Sequence, residues 1–289
     1  MKFGILDQKG TPLAVVIQDE AAFSLHPDVT SATLQHWLAK PDQLKEIAER
    51  AIEIGTAIKW SPKDFLAPVS APRKILGIGL NYYDHAAETG REPPSTQTWF
   101  VKQVSALNRP YGDVELPAVS HMLDYEVELV VVIGKGGRHI PANRAHEVIA
   151  GYTVGCDYSV RDWQKATPTM IMGKGFDTHA PVGPWIVTPD EVGDIDTLKL
   201  TTHVNAEKRQ DETAGKLIYK IPQLIEHLSA AFTLEPGDLI FTGTPAGVGV
   251  AMSPQAFLKV GDRVEVGIDR IGRFENLIVQ DPGTTRIGV

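Results

Sequence analysis

Two short runs of alternating apolar residues open the chain, Phe3 to Leu6 and Leu13 to Ile17, with Lys9-Gly10 between them. Alternation at period two around a glycine turn predicts a β-hairpin over residues 2–19. Two helical stretches follow. In the second, Leu44, Ile47, Ala48 and Ala51 fall on one face, with Asp42 placed to cap the helix and Gly55 to stop it. Pro62, Pro68 and Pro72 then interrupt a stretch with little periodicity. A small N-terminal α/β domain is expected to end there, near residues 63–73, dividing residues 1–68 from 69–289.

From Lys74 onward the chain consists of short β-rich runs between Gly and Pro turns, among them Ile75 to Ile78, Glu126 to Ile133, Leu239 to Thr242 and Arg263 to Ile268. Pro222 to Leu228 reads as a helix with proline in its first turn. Strands at this density, without regular βαβ alternation, predict an α+β, strand-rich protein. Its larger domain should be a mixed β-roll or barrel rather than a doubly wound sheet.

At 289 residues and 43% apolar, the chain can build a large core but is too polar for a membrane protein. Its longest apolar runs, such as Leu129 to Ile133, are too short to cross a bilayer. A net charge of -8 makes nucleic acid and anionic lipid unexpected partners. A site for an anionic substrate must therefore gather its cations locally. Cys156 is the single cysteine, so no intrachain disulfide can form, which fits a reducing compartment. The N-terminus reaches Asp7 before any apolar run of signal-peptide length, and a cytoplasmic location is expected.

Several familiar motifs fail. Gly77-Ile78-Gly79 follows a strand, but Tyr82 stands where a dinucleotide fingerprint needs its third glycine. Gly243-Thr244-Pro245-Ala246-Gly247-Val248-Gly249 looks like a phosphate loop without its lysine and hydroxyl ending. There is no G-x-S-x-G elbow, no H-E-x-x-H, and no zinc-like spacing among the nine histidines. These absences argue against a serine hydrolase, a zinc protease and a nucleotide enzyme.

The acids are more informative. Asp124, Glu126 and Glu128 recur at period two, which on a strand turns all three to one face. The run Leu129 to Ile133 that follows is apolar on both faces, so the acids lead into a buried strand rather than a solvated edge. Asp157 ends a second apolar run, Val154-Gly155-Cys156. Buried carboxylates need a compensating cation, and an all-oxygen set suits Mg²⁺, Mn²⁺ or Ca²⁺. Arg161 and Gln164 follow Asp157 at helical spacing, which would turn them toward the same place. His85 and Glu88 are three residues apart on a predicted short helix stopped by Gly90, an arrangement that orients an imidazole as a general base. The loop composition of Arg91 to Gln97 suggests that this helix rides on a lid.

Taken together, these segments resemble the fumarylacetoacetate hydrolase family over roughly residues 74–280. The likeness rests on five pieces in order: Gly79 to Glu88, Tyr125 to Leu129, Gly155 to Asp162, Gly173 to Thr178, and Gly243 to Gly249. The resemblance implies metal ligation by Glu126, Glu128 and Asp157, usually of Mg²⁺ or Mn²⁺. It implies a His85–Glu88 dyad activating water and Lys174 stabilising charge on a substrate oxygen. Arg161, Gln164 and Thr244 would hold the substrate carboxylate. The family's mixed β-roll fits the strand-rich reading, and its members are commonly homodimers. The chain departs from the pattern at Gln103, where many members have proline, at His179, where an apolar or aromatic residue is frequent, and at the bulky Trp99. His179 is expected to be structural.

The reaction expected is hydrolysis of a C–C bond in a small 1,3-dicarbonyl keto acid such as an acylpyruvate, with the metal stabilising the departing enolate. Decarboxylation of an oxaloacetate-like acid, isomerisation, or a lyase step could use the same groups. A non-catalytic metabolite-binding protein on this fold would have lost some of the acids or the dyad; all are present.

Overall fold

The computed structural model describes residues 1–285 and 287. The largest sheet runs through Ala21–Ser24, Thr11–Gln18, Lys2–Gln8, Ala180–Val187, Ile149–Cys156, Val127–Ile133, Leu239–Phe241, Ile75–Gly79 and Thr98–Lys102. Most neighbours are antiparallel, but Leu239–Phe241 runs parallel to Ile75–Gly79. A second sheet orders Glu207–Thr213, Lys199–Val204, Arg263–Ile268, Gly272–Gln280 and Val114–Leu116. This is the strand-rich α+β architecture expected from the sequence.

The N-terminal hairpin forms because Lys9 (φ 55°) and Gly10 (φ 88°) both take left-handed conformations, giving a turn whose twist matches the flanking strands. The following long helix, Pro41–Ile54, buries Leu44 and Ala48, but it is not capped by Asp42. Pro41 takes the first helical position, where its missing N–H costs nothing, so the cap falls on Lys40 and Asp42 lies inside the first turn. Lys2–Gln8 pairs with Ala180–Val187, so strands from residues 1–68 and 69–289 share one sheet.

Every residue of Val127–Ile133 is buried, as its apolar character on both faces requires. Its neighbours are antiparallel to it, so its first residues lie at the same end of the sheet as Cys156 and Phe241. Gly79 comes to that end as well, through the parallel pairing of Ile75–Gly79 with Leu239–Phe241. The segments leaving these four strand ends build the site.

Candidate active site

Register places the carboxylates. Val127 pairs with Cys156, which sets Glu126 and Glu128 beside Asp157, and one oxygen from each of the three acids lies within 4.8 Å of the others. All three are buried. Their charges are met by cations from distant segments. Lys174 Nζ donates to Glu126 Oε2 at 2.6 Å and to Asp157 Oδ2 at 2.5 Å. Lys102 Nζ, wholly buried, donates to Asp157 Oδ1 at 2.5 Å. Arg161 Nη2 lies 2.8 Å from Glu126 Oε1.

Burial pushes the Glu126 carboxyl up, but the charges of Lys174 and Arg161 outweigh it and hold the group below the usual carboxylate range. Glu128 behaves oppositely. Burial and the charges of Asp157 and Glu126 push it well above that range. Its Oε2 accepts from the Gly243 amide at 2.6 Å, yet among the described residues no cationic side chain pairs with it. An oxygen-only set with one unanswered buried carboxylate is what a hard divalent cation fits.

Asp124 does not join this group. It sits on the separate strand Leu123–Asp124, paired with Ser159–Val160. Its carboxylate accepts from Arg161 Nε at 2.8 Å and from the amides of Gly249 and Val250 at 2.8 and 2.9 Å. The chain changes sheet partner between Asp124 and Val127, which breaks the expected period-two alignment of three acids. Asp157 likewise lies outside the helix that follows. That helix, Arg161–Ala166, begins only after Ser159–Val160, and on it Arg161 Nη1 donates to Gln164 Oε1 at 3.0 Å.

His85 and Glu88 come together as their spacing predicted. They lie on the helix Tyr83–Glu88, with Nδ1 and Oε1 2.6 Å apart. The other carboxylate oxygen of Glu88 accepts from the Gly247 amide at 2.8 Å. The glycine-rich loop thus spends its amides on the protein's own anions: Gly243 on Glu128, Gly247 on Glu88, Gly249 on Asp124. It looks like a phosphate loop because it does bind anions, but they are carboxylates. Glycine is required where the backbone is left-handed and crowded. At Gly247 (φ 108°) a Cβ would lie 1.9 Å from the Arg209 carbonyl oxygen.

Dyad and acids meet on a cavity of about 810 Å³. His85, Glu88, Glu126, Glu128, Arg161, Gln164, Lys174 and Thr244 all line it. Asp157 does not, but an oxygen of it lies within 4.8 Å of those of Glu126 and Glu128, and each of its oxygens accepts from only one lysine, which leaves lone pairs for a further contact. The Lys174 ammonium has three N–H groups and gives two to carboxylates. Thr244 donates to the Val127 carbonyl at 2.8 Å and accepts from Gln210 Nε2 at 2.8 Å.

The sequence reading gave no role to Lys102 or Gln210. Gln210 reaches from the second sheet with its amide fully used: it donates to Thr244 and the Pro245 carbonyl and accepts from Val127 N and Thr202 Oγ1. Trp99 points away from the cavity and donates to His227 Nδ1 at 3.0 Å. Gln103 is exposed. His179 is buried, its Nε2 2.8 Å from the Glu115 carbonyl, and burial holds its pKa down to about 3. Its ring lies against those of Tyr158 and Phe176, surroundings that disfavour a charged imidazole.

A family model for the fumarylacetoacetate (FAA) hydrolase C-terminal domain matches residues 74–279. The chain belongs to the fumarylacetoacetate hydrolase family. Among its relatives in this enzyme family is the mitochondrial oxaloacetate tautomerase FAHD2B of Homo sapiens, 40% identical over 86% of this chain and 80% of that protein. The 2,4-didehydro-3-deoxy-L-rhamnonate hydrolase of Sphingomonas sp. is 46% identical over 71% of this chain and 73% of its own length. The crystal structure of maleylpyruvate hydrolase from Sphingobium sp. SYK-6, in complex with manganese(II) and pyruvate, superposes with a TM-score of 0.81 at 29% identity, covering 97% of this chain and 99% of that one. Among the described residues no helix is long and apolar enough to cross a membrane.

Proposed function

We propose that this protein hydrolyses a C–C bond in a small 2,4-dioxo acid, an acylpyruvate or related compound, with Mg²⁺ or Mn²⁺ held by Glu126, Glu128 and Asp157. The observation that carries the reading is the His85–Glu88 pair on the same cavity as the acids. Glu88 engages Nδ1, which leaves Nε2 as the nitrogen able to take a proton from water. The water oxygen then bonds to the substrate's C4 carbonyl carbon. The C3–C4 bond breaks with its electron pair passing to C3, and His85 returns its proton there, giving a carboxylic acid and pyruvate. Lys174 and Arg161 offer N–H groups to the negative charge that develops; Gln164 orients the acid with its amide N–H, while Thr244, its hydroxyl proton given to the Val127 carbonyl, lines the site beside it. A divalent cation, when bound, supplies electrophilic stabilisation of that charge.

A second reading, tautomerisation of an oxaloacetate-like acid, is favoured by the relationship to the oxaloacetate tautomerase. There His85 would carry a proton between carbon and oxygen and no water would add. Incubating the protein and Mg²⁺ or Mn²⁺ with an acylpyruvate and with enol-oxaloacetate separates the two. Pyruvate released from the first supports hydrolysis; decay of the enol absorbance alone transfers the assignment to the tautomerase reading.

The proposal includes a homodimer in the cytoplasm. Val101, Val104 and Met172 are exposed on and beside the edge strand Thr98–Lys102, where a second copy could cover them. Light scattering should give twice the 31.5 kDa chain mass, and a monomer at micromolar concentration removes the dimer.

A further inference from the structure

Tyr125 lies between Asp124 and Glu126, where the chain changes sheet partner. It is buried and lines no part of the cavity, so it does not meet a substrate there. Its hydroxyl donates to the Gly247 carbonyl at 2.9 Å. On the other side of the same α-carbon, the Gly247 N–H donates to Glu88 Oε2 at 2.8 Å, and the second oxygen of Glu88 meets His85 Nδ1. The Arg209 backbone closes a third side of Gly247, leaving no space for a Cβ. Asp124 ties the loop down farther along, accepting from the Gly249 and Val250 amides. Among the described residues Tyr125 alone donates to the Gly247 carbonyl. The stretch from Asp124 to Glu128 therefore carries two of the three clustered acids and also grips the loop that holds the dyad.

We propose that Tyr125 is a positioning residue for the base: its hydroxyl fixes the Gly247 peptide, which fixes Glu88 and through it the His85 ring, relative to the acids of the same strand. This rests on reading His85 and Glu88 as the base of the reaction. The dyad helix, Tyr83–Glu88, has six residues, too few to hold its geometry by its own hydrogen bonds. Its orientation depends on contacts with its neighbours, and the Glu88–Gly247 bond is the one that acts on the dyad itself. A base works only near its productive geometry, and a displacement of about 1 Å can cost about a hundredfold in rate. Tyrosine suits the task because a rigid ring on few rotatable bonds delivers a donor at little entropic cost. Glu128 is held by Gly243, on the far side of Pro245, so this acid keeps its own tether to the loop.

The test is a double-mutant cycle on the full chain with Mn²⁺: wild type, Tyr125→Phe, Glu88→Ala and the double variant, assayed on an acylpyruvate and on enol-oxaloacetate. Tyr125→Phe keeps the buried ring and removes only the donor. It should lower kcat about tenfold, the order of one lost hydrogen bond, with KM and Mn²⁺ affinity within about twofold of wild type. Once Glu88 is gone the hydroxyl has nothing left to position, so Tyr125→Phe should then cost less than about twofold further. A residue that only supports packing would lower stability with kcat unchanged, or lower kcat equally in both backgrounds; either result overturns the proposal. Exchange of the Gly247 amide, followed by NMR with Mg²⁺, should quicken about tenfold in Tyr125→Phe, and unchanged exchange also overturns it. If the wild type converts only enol-oxaloacetate, the hydrolase reading falls and the cycle, read on that reaction, still decides the role of Tyr125. Additive losses on an acylpyruvate remove that role and leave the hydrolase reading standing. Conversion of neither substrate overturns both.

Discussion

Gly247 donates its backbone N–H to Glu88 Oε2 at 2.8 Å, and Glu88 uses its other oxygen for His85. His85 is therefore anchored, through Glu88, to the same loop whose Gly243 amide holds Glu128. Both contacts depend on backbone rather than on side chains, and Gly247 occupies a left-handed position with no space for a Cβ. The loop fixes the dyad relative to the acids.

The metal prediction follows from the unequal treatment of the acids. Glu128 is raised by burial and by its acidic neighbours, whereas Glu126 is already matched by Lys174 and Arg161. Glu128→Gln keeps an acceptor for Gly243 and removes the unanswered charge. It should weaken Mn²⁺ binding by at least about tenfold, the least that loss of even a residue behind the ligands costs, while leaving the metal-free protein no less stable. Glu126→Ala should weaken the metal as much but also destabilise the fold, by about 1–3 kcal/mol, because Lys174 and Arg161 each lose one of two anionic partners and keep only Asp157 and Asp124. Calorimetry with Mn²⁺ and urea unfolding of the metal-free variants check both halves. Undiminished metal affinity in both variants would remove the site.

Much of this was legible in the sequence, and the failures have physical causes. The hairpin was readable because Lys9-Gly10 supplies the turn that its alternating strands need. His85–Glu88 was readable because both residues lie within one helical turn. Asp124 was misaligned because counting by twos cannot register a change of sheet partner at Tyr125–Glu126. Lys102 was not assigned because its partner Asp157 lies 55 residues away. Strand parity was the available signal: Lys102 shares the inward face of Thr98–Lys102 with Phe100, where a lysine demands a buried anion. Gln210 carried no local signal, since its partners come from three other segments.

Gln210 should therefore matter more than its distance from the chemistry suggests. Gln210→Met keeps the volume but strands the Val127 amide and the Pro245 carbonyl, at about 1–3 kcal/mol for each buried group. Unfolding free energy should fall by about 3 kcal/mol. Mn²⁺ affinity should fall too, since Val127 lies between Glu126 and Glu128. Urea unfolding and metal titration of the same preparation check this. A loss of stability with unchanged metal affinity would make Gln210 a packing residue only.

His179 predicts an acid limit to stability. Its folded pKa is depressed to about 3 from 6.5 by burial, so the unfolded chain takes up the proton first. The group's contribution is fully present above pH 6.5 and is lost progressively as pH falls from there toward 3. His179→Gln does not titrate, and its amide can still donate to the Glu115 carbonyl. The wild type should lose stability relative to this variant as pH is lowered from 7 to 4, with a constant difference above 7. Urea midpoints across that range decide it; a difference independent of pH means that His179 is not held neutral.

The dyad gives the prediction that separates the chemistries. If water attack is the reaction, the base must be neutral, so acylpyruvate turnover should rise with pH through an imidazole-like ionisation. His85→Ala should lower turnover by about 10²- to 10⁴-fold and leave Mn²⁺ affinity within about twofold, because His85 is no proposed ligand. Glu88→Ala should cost less than His85→Ala in the chemical step, since Glu88 orients the ring and fixes its tautomer. It should also loosen the loop, whose Gly247 amide loses its acceptor. Glu88→Gln divides these roles: its one carbonyl oxygen can serve His85 or Gly247, not both, so its turnover should fall between wild type and Glu88→Ala. Decarboxylation of oxaloacetate needs no activated water, so His85→Ala should affect it far less than acylpyruvate cleavage. Steady-state assays of the three variants on both substrates, with products identified, carry the decision. Full acylpyruvate cleavage by His85→Ala would end the water-activation mechanism while leaving the reaction class open. Release of carbon dioxide alone by the wild type would end the hydrolase assignment itself.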